Sequence, residues 1–189
     1  FGISSYSVTS LFTDSNLNTW IGTWEAGLNI DFHQKPRFSL LRYKPNTFLG
    51  LLSNKVSTLL ADGDKGVWVG SNVGLSYFNH KSGLVTHYLT SASSNKLNST
   101  ETYDVNFIYP AGDGGVWVGL WGKGINLFTK DRQLKDFSFK PGIREANFTT
   151  LEPFKDEFLL ATAGMGVVAF NPLTENYRVP FPELGKLNF

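Results

Sequence analysis

The stretch Val67-Trp68-Val69-Gly70-Ser71 returns along the chain as Thr19-Trp20-Ile21-Gly22-Thr23 and as Val116-Trp117-Val118-Gly119-Leu120. A decayed copy, Phe158-Leu159-Leu160-Ala161-Thr162, comes last. The tryptophans are 48 and 49 residues apart, and Leu159 follows Trp117 after 42. A β-rich unit repeated at such a period cannot bury both faces of its sheet alone, so neighbouring units must stack. In an extended strand, tryptophan and the glycine two residues on share one face. A large ring beside an empty position lets the next sheet approach closely, and the indole buries roughly 150–250 Å². Trp20, Trp68 and Trp117, with Gly22, Gly70 and Gly119, are therefore expected to pack sheet on sheet.

Around this phrase each copy reads as four short strands, A to D. In the second copy Val56-Ser57-Thr58-Leu59-Leu60 (A) leads through the turn cluster Asp62-Gly63-Asp64-Lys65-Gly66 into the tryptophan strand (B). Asn72-Val73-Gly74 breaks it, Leu75-Ser76-Tyr77-Phe78 (C) follows, and Leu84 to Leu89 (D) closes the unit. Turn chemistry between each pair predicts antiparallel hairpins. In the other copies strand D is expected over Phe38 to Tyr43, Leu134 to Phe139 and Glu175 to Val179. No segment carries a capped 3.6-residue period, so the fold class is all-β. The expected blades are 1–54, 55–101, 102–145 and 146–189, the last degenerate, and radial stacking of such sheets gives a β-propeller.

Composition narrows the function. Seventeen Lys and Arg against sixteen Asp and Glu leave a formal charge of +1 with no basic run, which argues against a nucleic-acid footprint. Cysteine is absent, so thiol chemistry and thiolate zinc sites are excluded. No stretch reaches the roughly 18 apolar residues of a membrane span, and no membrane contact by this segment is expected. Opening on Phe1 reads as the start of a mature or trimmed segment.

Leu11-Phe12-Thr13-Asp14, Trp20-Ile21-Gly22-Thr23 and Gly27-Leu28-Asn29 together resemble the two-component-regulator propeller repeat. Leu59-Leu60-Ala61-Asp62, Trp68-Val69-Gly70-Ser71 and Gly74-Leu75 repeat the resemblance. The third copy has Ala111 where the Asp is expected, and the fourth has lost the Trp, the Asp and the Asn. The resemblance implies a non-catalytic, periplasmic sensor segment of a hybrid two-component system of the Bacteroidetes type, responding to an oligosaccharide. A lectin-like or scaffold propeller is the alternative reading, and a propeller lyase a third, because fold does not fix function. Family members usually carry about seven blades, so the four here are expected to belong to a larger propeller. Partners follow from this: further blades of the parent chain, or self-association through apolar blade faces left uncovered.

In a propeller the B–C and D–A loops share one face, the usual binding surface. Trp24, Glu25, Asn72, Trp121 and Lys123 lie in the B–C loops and are the candidate ligand residues. An exposed indole stacks on the C–H face of a sugar while charged and amide groups bond its hydroxyls; the competing reading has both tryptophans merely covering the rim. The loop from Ser91 to Thr102 is expected to overhang this face or to be disordered. Asp14-Ser15-Asn16 and Asp62-Gly63-Asp64 read as turns, because the glutamate and helices of a calcium loop are missing. His33, His80 and His87 have no ligand spacing, and no nucleophile elbow or anchored carboxylate pair occurs. Neither metal, cofactor nor catalytic residue is expected. Asn98-Ser99-Thr100 and Asn147-Phe148-Thr149 match the glycosylation sequon too loosely to carry weight.

Overall fold

Alternating apolar residues bounded by Asp, Asn and Gly turns produce sixteen strands and no helix among the described residues of the computed structural model. The structure describes residues 3–33, 38–44, 49–90, 103–137 and 146–181. The first sheet holds β1 (Val8–Thr13), β2 (Thr19–Thr23), β3 (Gly27–Asp31) and β4 (Phe38–Leu41). The second holds β5 (Val56–Asp62), β6 (Gly66–Ser71), β7 (Gly74–Asn79) and β8 (Val85–Tyr88). The third holds β9 (Val105–Pro110), β10 (Val116–Leu120), β11 (Gly124–Phe128) and β12 (Leu134–Asp136). The fourth holds β13 (Phe148–Phe154), β14 (Glu157–Thr162), β15 (Gly166–Asn171) and β16 (Asn176–Arg178). Each sheet is a four-stranded meander in chain order, the layout expected for one repeat. Strand D is shorter than the sequence suggests in all four copies.

The chain divides into two compact units, Phe1–Ile108 and Tyr109–Phe189. In the first, Trp20 is fully buried, stacked on Phe12 of its own sheet at 5.7 Å and on His80 of the next repeat at 4.9 Å. Phe78 of β7 meets the same ring edge-on at 5.4 Å. Leu28, Ile30, Val56, Val67 and Val69 complete this core, so one indole ties the first sheet to the second. The empty position beside it is used as well. A Cβ added to Gly22 would lie 2.9 Å from Val56 Cγ1, and one added to Gly70 only 2.8 Å from Val105 Cγ1. Gly70→Ala would also press on Thr58 Cγ2 at 2.5 Å. Both neighbours are β-branched and stiff, whereas the Ser10 hydroxyl crowding Gly22 can rotate away. Chemical denaturation is expected to show Gly70→Ala about 1–3 kcal/mol less stable, and Gly22→Ala less affected. A Gly70→Ala chain as stable as the parent would refute close sheet contact as the reason for this glycine.

Strand A carries a device with no sequence signal. Its pairing with strand B slips at the second residue, between Val8 and Ser10, between Val56 and Thr58, and between Phe148 and Thr150. The extra residue of such a bulge leaves the ladder and re-aims its side chain. In the first unit that side chain is a hydroxyl that crosses to the following repeat. Thr9 Oγ1 donates to the carbonyl of Val56 at 2.7 Å, and Ser57 Oγ donates to that of Val105. In the fourth sheet the equivalent Thr149 turns back onto its own sheet, to the Ala161 carbonyl at 3.4 Å.

The second unit keeps the tryptophan's function while losing one tryptophan. Trp117 packs on Phe137 at 5.1 Å and edge-on against Phe158 at 5.4 Å and Phe170 at 6.0 Å. Tyr177 stacks on Phe170 at 4.6 Å, and its hydroxyl donates to the Phe137 carbonyl at 2.9 Å. Burial first, then the nearby Asp136 and Glu175 carboxylates, push that hydroxyl well above its ordinary pKa, so it stays a donor. Phe158 and Phe170 thus receive Trp117, while Leu159, in the old tryptophan slot, pairs with Ala169 and Glu152.

Candidate functional site

The B–C turns are held by a hydroxyl clamp. Thr23 Oγ1 donates to the Gly27 carbonyl at 2.7 Å and accepts from the Ala26 N–H at 3.2 Å. Ser71 does the same with Gly74 and Val73, and Thr162 with Gly166 and Met165. This gives the residue after Trp-apolar-Gly its physical reason. Leu120 breaks the rule and is buried; there the Lys123 N–H donates to the Leu120 carbonyl at 3.0 Å. The Asn126 amide donates to the Lys123 carbonyl at 3.0 Å and replaces the lost hydroxyl.

The clamps fix which side chains the turns present. Trp24 is 45% exposed and Trp121 50%, whereas Trp20, Trp68 and Trp117 are buried. Glu25 is exposed and Lys123 half-buried. Asn72 differs from what its loop position suggests: its Oδ1 is out of solvent and finds no hydrogen-bond partner among the described residues. Met165 occupies the corresponding turn of the fourth sheet and is 48% exposed.

Three of these turns rest on the chain leading into a strand A. The Trp24 N–H donates to the Ser7 carbonyl at 3.0 Å, and the Gly27 N–H to the Asn54 carbonyl at 3.0 Å. In the second unit Asn147 holds two turns: its Oδ1 accepts from Gly122 at 2.8 Å and its carbonyl from Ala163 at 2.9 Å. Asn147 is thus engaged in structure, despite its sequon. Within each unit, B–C turns and strand-A starts therefore lie together. The loop from Ser91 to Thr102 lies outside the described residues.

One residue absent from the sequence reading stands against Trp24. Lys55 Nζ sits over its ring, 5.5 Å from the centroid. Asp104, just ahead of β9, is half-buried, and burial lifts its carboxyl above the ordinary range while the Lys55 ammonium pulls it down. Trp24, Lys55 and Asp104 come from three successive repeats of the first unit. Trp24 and Glu25 share one turn there; Trp121 and Lys123 share another in the second unit.

The remaining polar candidates are structural. Asp14 is buried and accepts four hydrogen bonds: from the N–H groups of Asn16 at 3.0 Å and Asn18 at 2.8 Å, the Asn18 amide at 3.0 Å, and the Trp20 indole at 3.0 Å. Burial alone would raise its carboxyl, but these donors, led by Trp20, hold it below the ordinary range. Asp62 Oδ2 accepts from the Tyr77 hydroxyl at 2.9 Å. Ser76 Oγ lies 3.1 Å from His87 Nδ1, and Ser76 is buried within the sheet. No cluster of three potential metal ligands occurs among the described residues.

Residues 50–73 match the family model described as the two component regulator propeller. No sequence among the curated proteins matches the chain significantly. Among solved structures, the extracellular domain of a hybrid two component system from B. thetaiotaomicron superposes with a TM-score of 0.76 at 26% identity. The match covers 94% of this chain and 24% of that one. The extracellular domain of a one component system from the same organism gives 0.68 at 20% identity, over 93% of this chain and 24% of that one. A catalytically inactive virginiamycin B lyase from Staphylococcus aureus gives 0.69 at 11% identity, over 96% and 59%, a likeness of fold alone. The four sheets are blades of the β-propeller type. The chain spans about a quarter of the length of the B. thetaiotaomicron domains it matches.

Proposed function

We propose that this chain, which carries a two component regulator propeller repeat at residues 50–73, is part of the periplasmic sensor region of a hybrid two-component protein. It recognises an oligosaccharide and does no chemistry itself. The observation carrying this reading is the contrast between two sets of tryptophans. Those of the repeat phrase are buried, whereas Trp24 and Trp121 stand about half exposed on clamped turns among polar strand starts. A rigid, exposed indole beside hydrogen-bonding groups is the chemistry that a sugar ring needs. Binding would shift the populations of two sensor arrangements rather than drive a reaction.

Further sheets of the same kind are the expected partners. Val8 and Leu11 of β1 are 41% and 64% exposed, whereas their counterparts one repeat on, Val56 and Leu59, are covered by the first sheet. The parent reading frame must then contain more Trp-apolar-Gly repeats and, downstream, a membrane span with histidine-kinase motifs. A frame without them sinks the signalling reading. For the ligand, calorimetric titration with oligosaccharides is expected to show weakened binding, about tenfold, in Trp24→Ala or Trp121→Ala, since each stacked ring contributes on the order of 1 kcal/mol. Unchanged affinity in both variants would return these residues to simple packing.

A further inference from the structure

We infer that Trp24, Lys55 and Asp104 form one sugar subsite, and that it takes an uncharged ring with neighbouring hydroxyls. This rests on the glycan reading above and specifies where in the first unit, and by what chemistry, the glycan is held.

Three observations converge on these residues. Trp24 is anchored through its backbone to Ser7 and through the Thr23 clamp, yet leaves nearly half of its surface to solvent. That is an apolar platform on a fixed turn. Lys55 sits over the same ring at 5.5 Å, a cation–π contact of the kind worth about 0.5–1 kcal/mol at an exposed site. Such a contact is weak enough to rearrange when a ligand arrives. Asp104 holds a carboxylate half out of water at the start of β9, within the field of Lys55. The latch from Ser57 to the Val105 carbonyl joins the segments next to Lys55 and Asp104.

The combination is selective. A carboxylate accepts hydrogen bonds and an ammonium donates them, so the pair matches two adjacent hydroxyls, one donating and one accepting. The opposite charges cancel, which removes any long-range preference for an ionic sugar. A uronate would bring a second carboxylate toward Asp104 and be disfavoured. The indole takes the C–H face of the same ring.

The test uses the 189-residue chain titrated with maltohexaose, mannohexaose and oligogalacturonate, read by calorimetry and by the indole N–H resonance of Trp24. A neutral hexasaccharide is expected to bind and shift that resonance, with oligogalacturonate weaker. Trp24→Leu, Lys55→Met and Asp104→Asn should each weaken binding at least tenfold, with melting temperatures close to the parent's. If these three variants bind within twofold of the parent while Trp121→Ala abolishes binding, the glycan reading stands and this subsite falls. Tighter binding of oligogalacturonate than of either neutral sugar also overturns it. If none of the three probes binds the parent chain, the subsite and the glycan reading fall together.

Discussion

Trp20→Ala is expected to lower the stability of the first unit by about 3–5 kcal/mol, the range for removing a buried aromatic side chain from a packed core. The indole is in simultaneous contact with Phe12, Phe78 and His80, and packs with Leu28, Ile30, Val56 and Val67. Its loss opens a cavity where two sheets meet, a place that cannot collapse without sliding one blade over the other. Against a total of roughly 5–15 kcal/mol for a typical domain, this leaves little margin. Urea denaturation followed by tryptophan fluorescence and circular dichroism measures the effect. Trp24→Ala, at an exposed turn, serves as the control and is expected to change stability by less than about 1 kcal/mol. Similar losses in the two variants would refute the division of the tryptophans into packing and presenting sets. A Trp20→Phe chain should fall between, since it keeps ring contacts but not the indole N–H.

That N–H leads to the second large effect. Asp14→Ala is expected to cost about 2–4 kcal/mol, because it strands a buried donor that otherwise meets a charged acceptor. Of the four donors that Asp14 satisfies, the two turn N–H groups and the Asn18 amide can recruit water; the buried indole cannot. A double-mutant cycle with Trp20→Phe should return a coupling of about 1.5–3 kcal/mol, the range for a hydrogen bond to a charged group. Acid gives an independent check. The folded carboxyl sits below the ordinary value of about 3.9, so the charged form is favoured by the fold. Its contribution is complete above that value and is lost as pH falls through the lower folded value. The stability gap between the parent and Asp14→Asn should therefore be constant near neutrality and narrow below about pH 4. A gap independent of pH would show that Asp14 acts by shape rather than by charge.

The repeated phrase is readable in the sequence because it obeys the two-residue period of a strand. Tryptophan and glycine on one face announce sheet stacking without any knowledge of the partner. The turns were readable too, since Asp, Asn and Gly mark hairpins by their backbone preferences. Trp24 and Trp121 stood out as aromatics beyond the phrase, and their exposure agrees with their loop positions. Asn72 occupies an equivalent loop position, but its oxygen lies out of solvent. The fourth blade lost its tryptophan, yet Phe158 and Phe170 still receive Trp117. Apolar residues on the opposite face of the sheet do that work, and the repeat phrase did not point to them.

Sequence alone determined the local plan: four strands per repeat, the face that the tryptophan and glycine of strand B take, and the turn chemistry. These depend on residues close together in the chain, whose geometry follows from backbone periodicity. Tertiary structure decided everything that joins one repeat to the next. The bulge that sends Thr9 to Val56 and Ser57 to Val105 is a slip in pairing, visible only once the strands are in register. The contact of Lys55 with the Trp24 ring draws on two repeats. Their side chains come together because blades stack at a fixed spacing, and no spacing within one repeat carries that information.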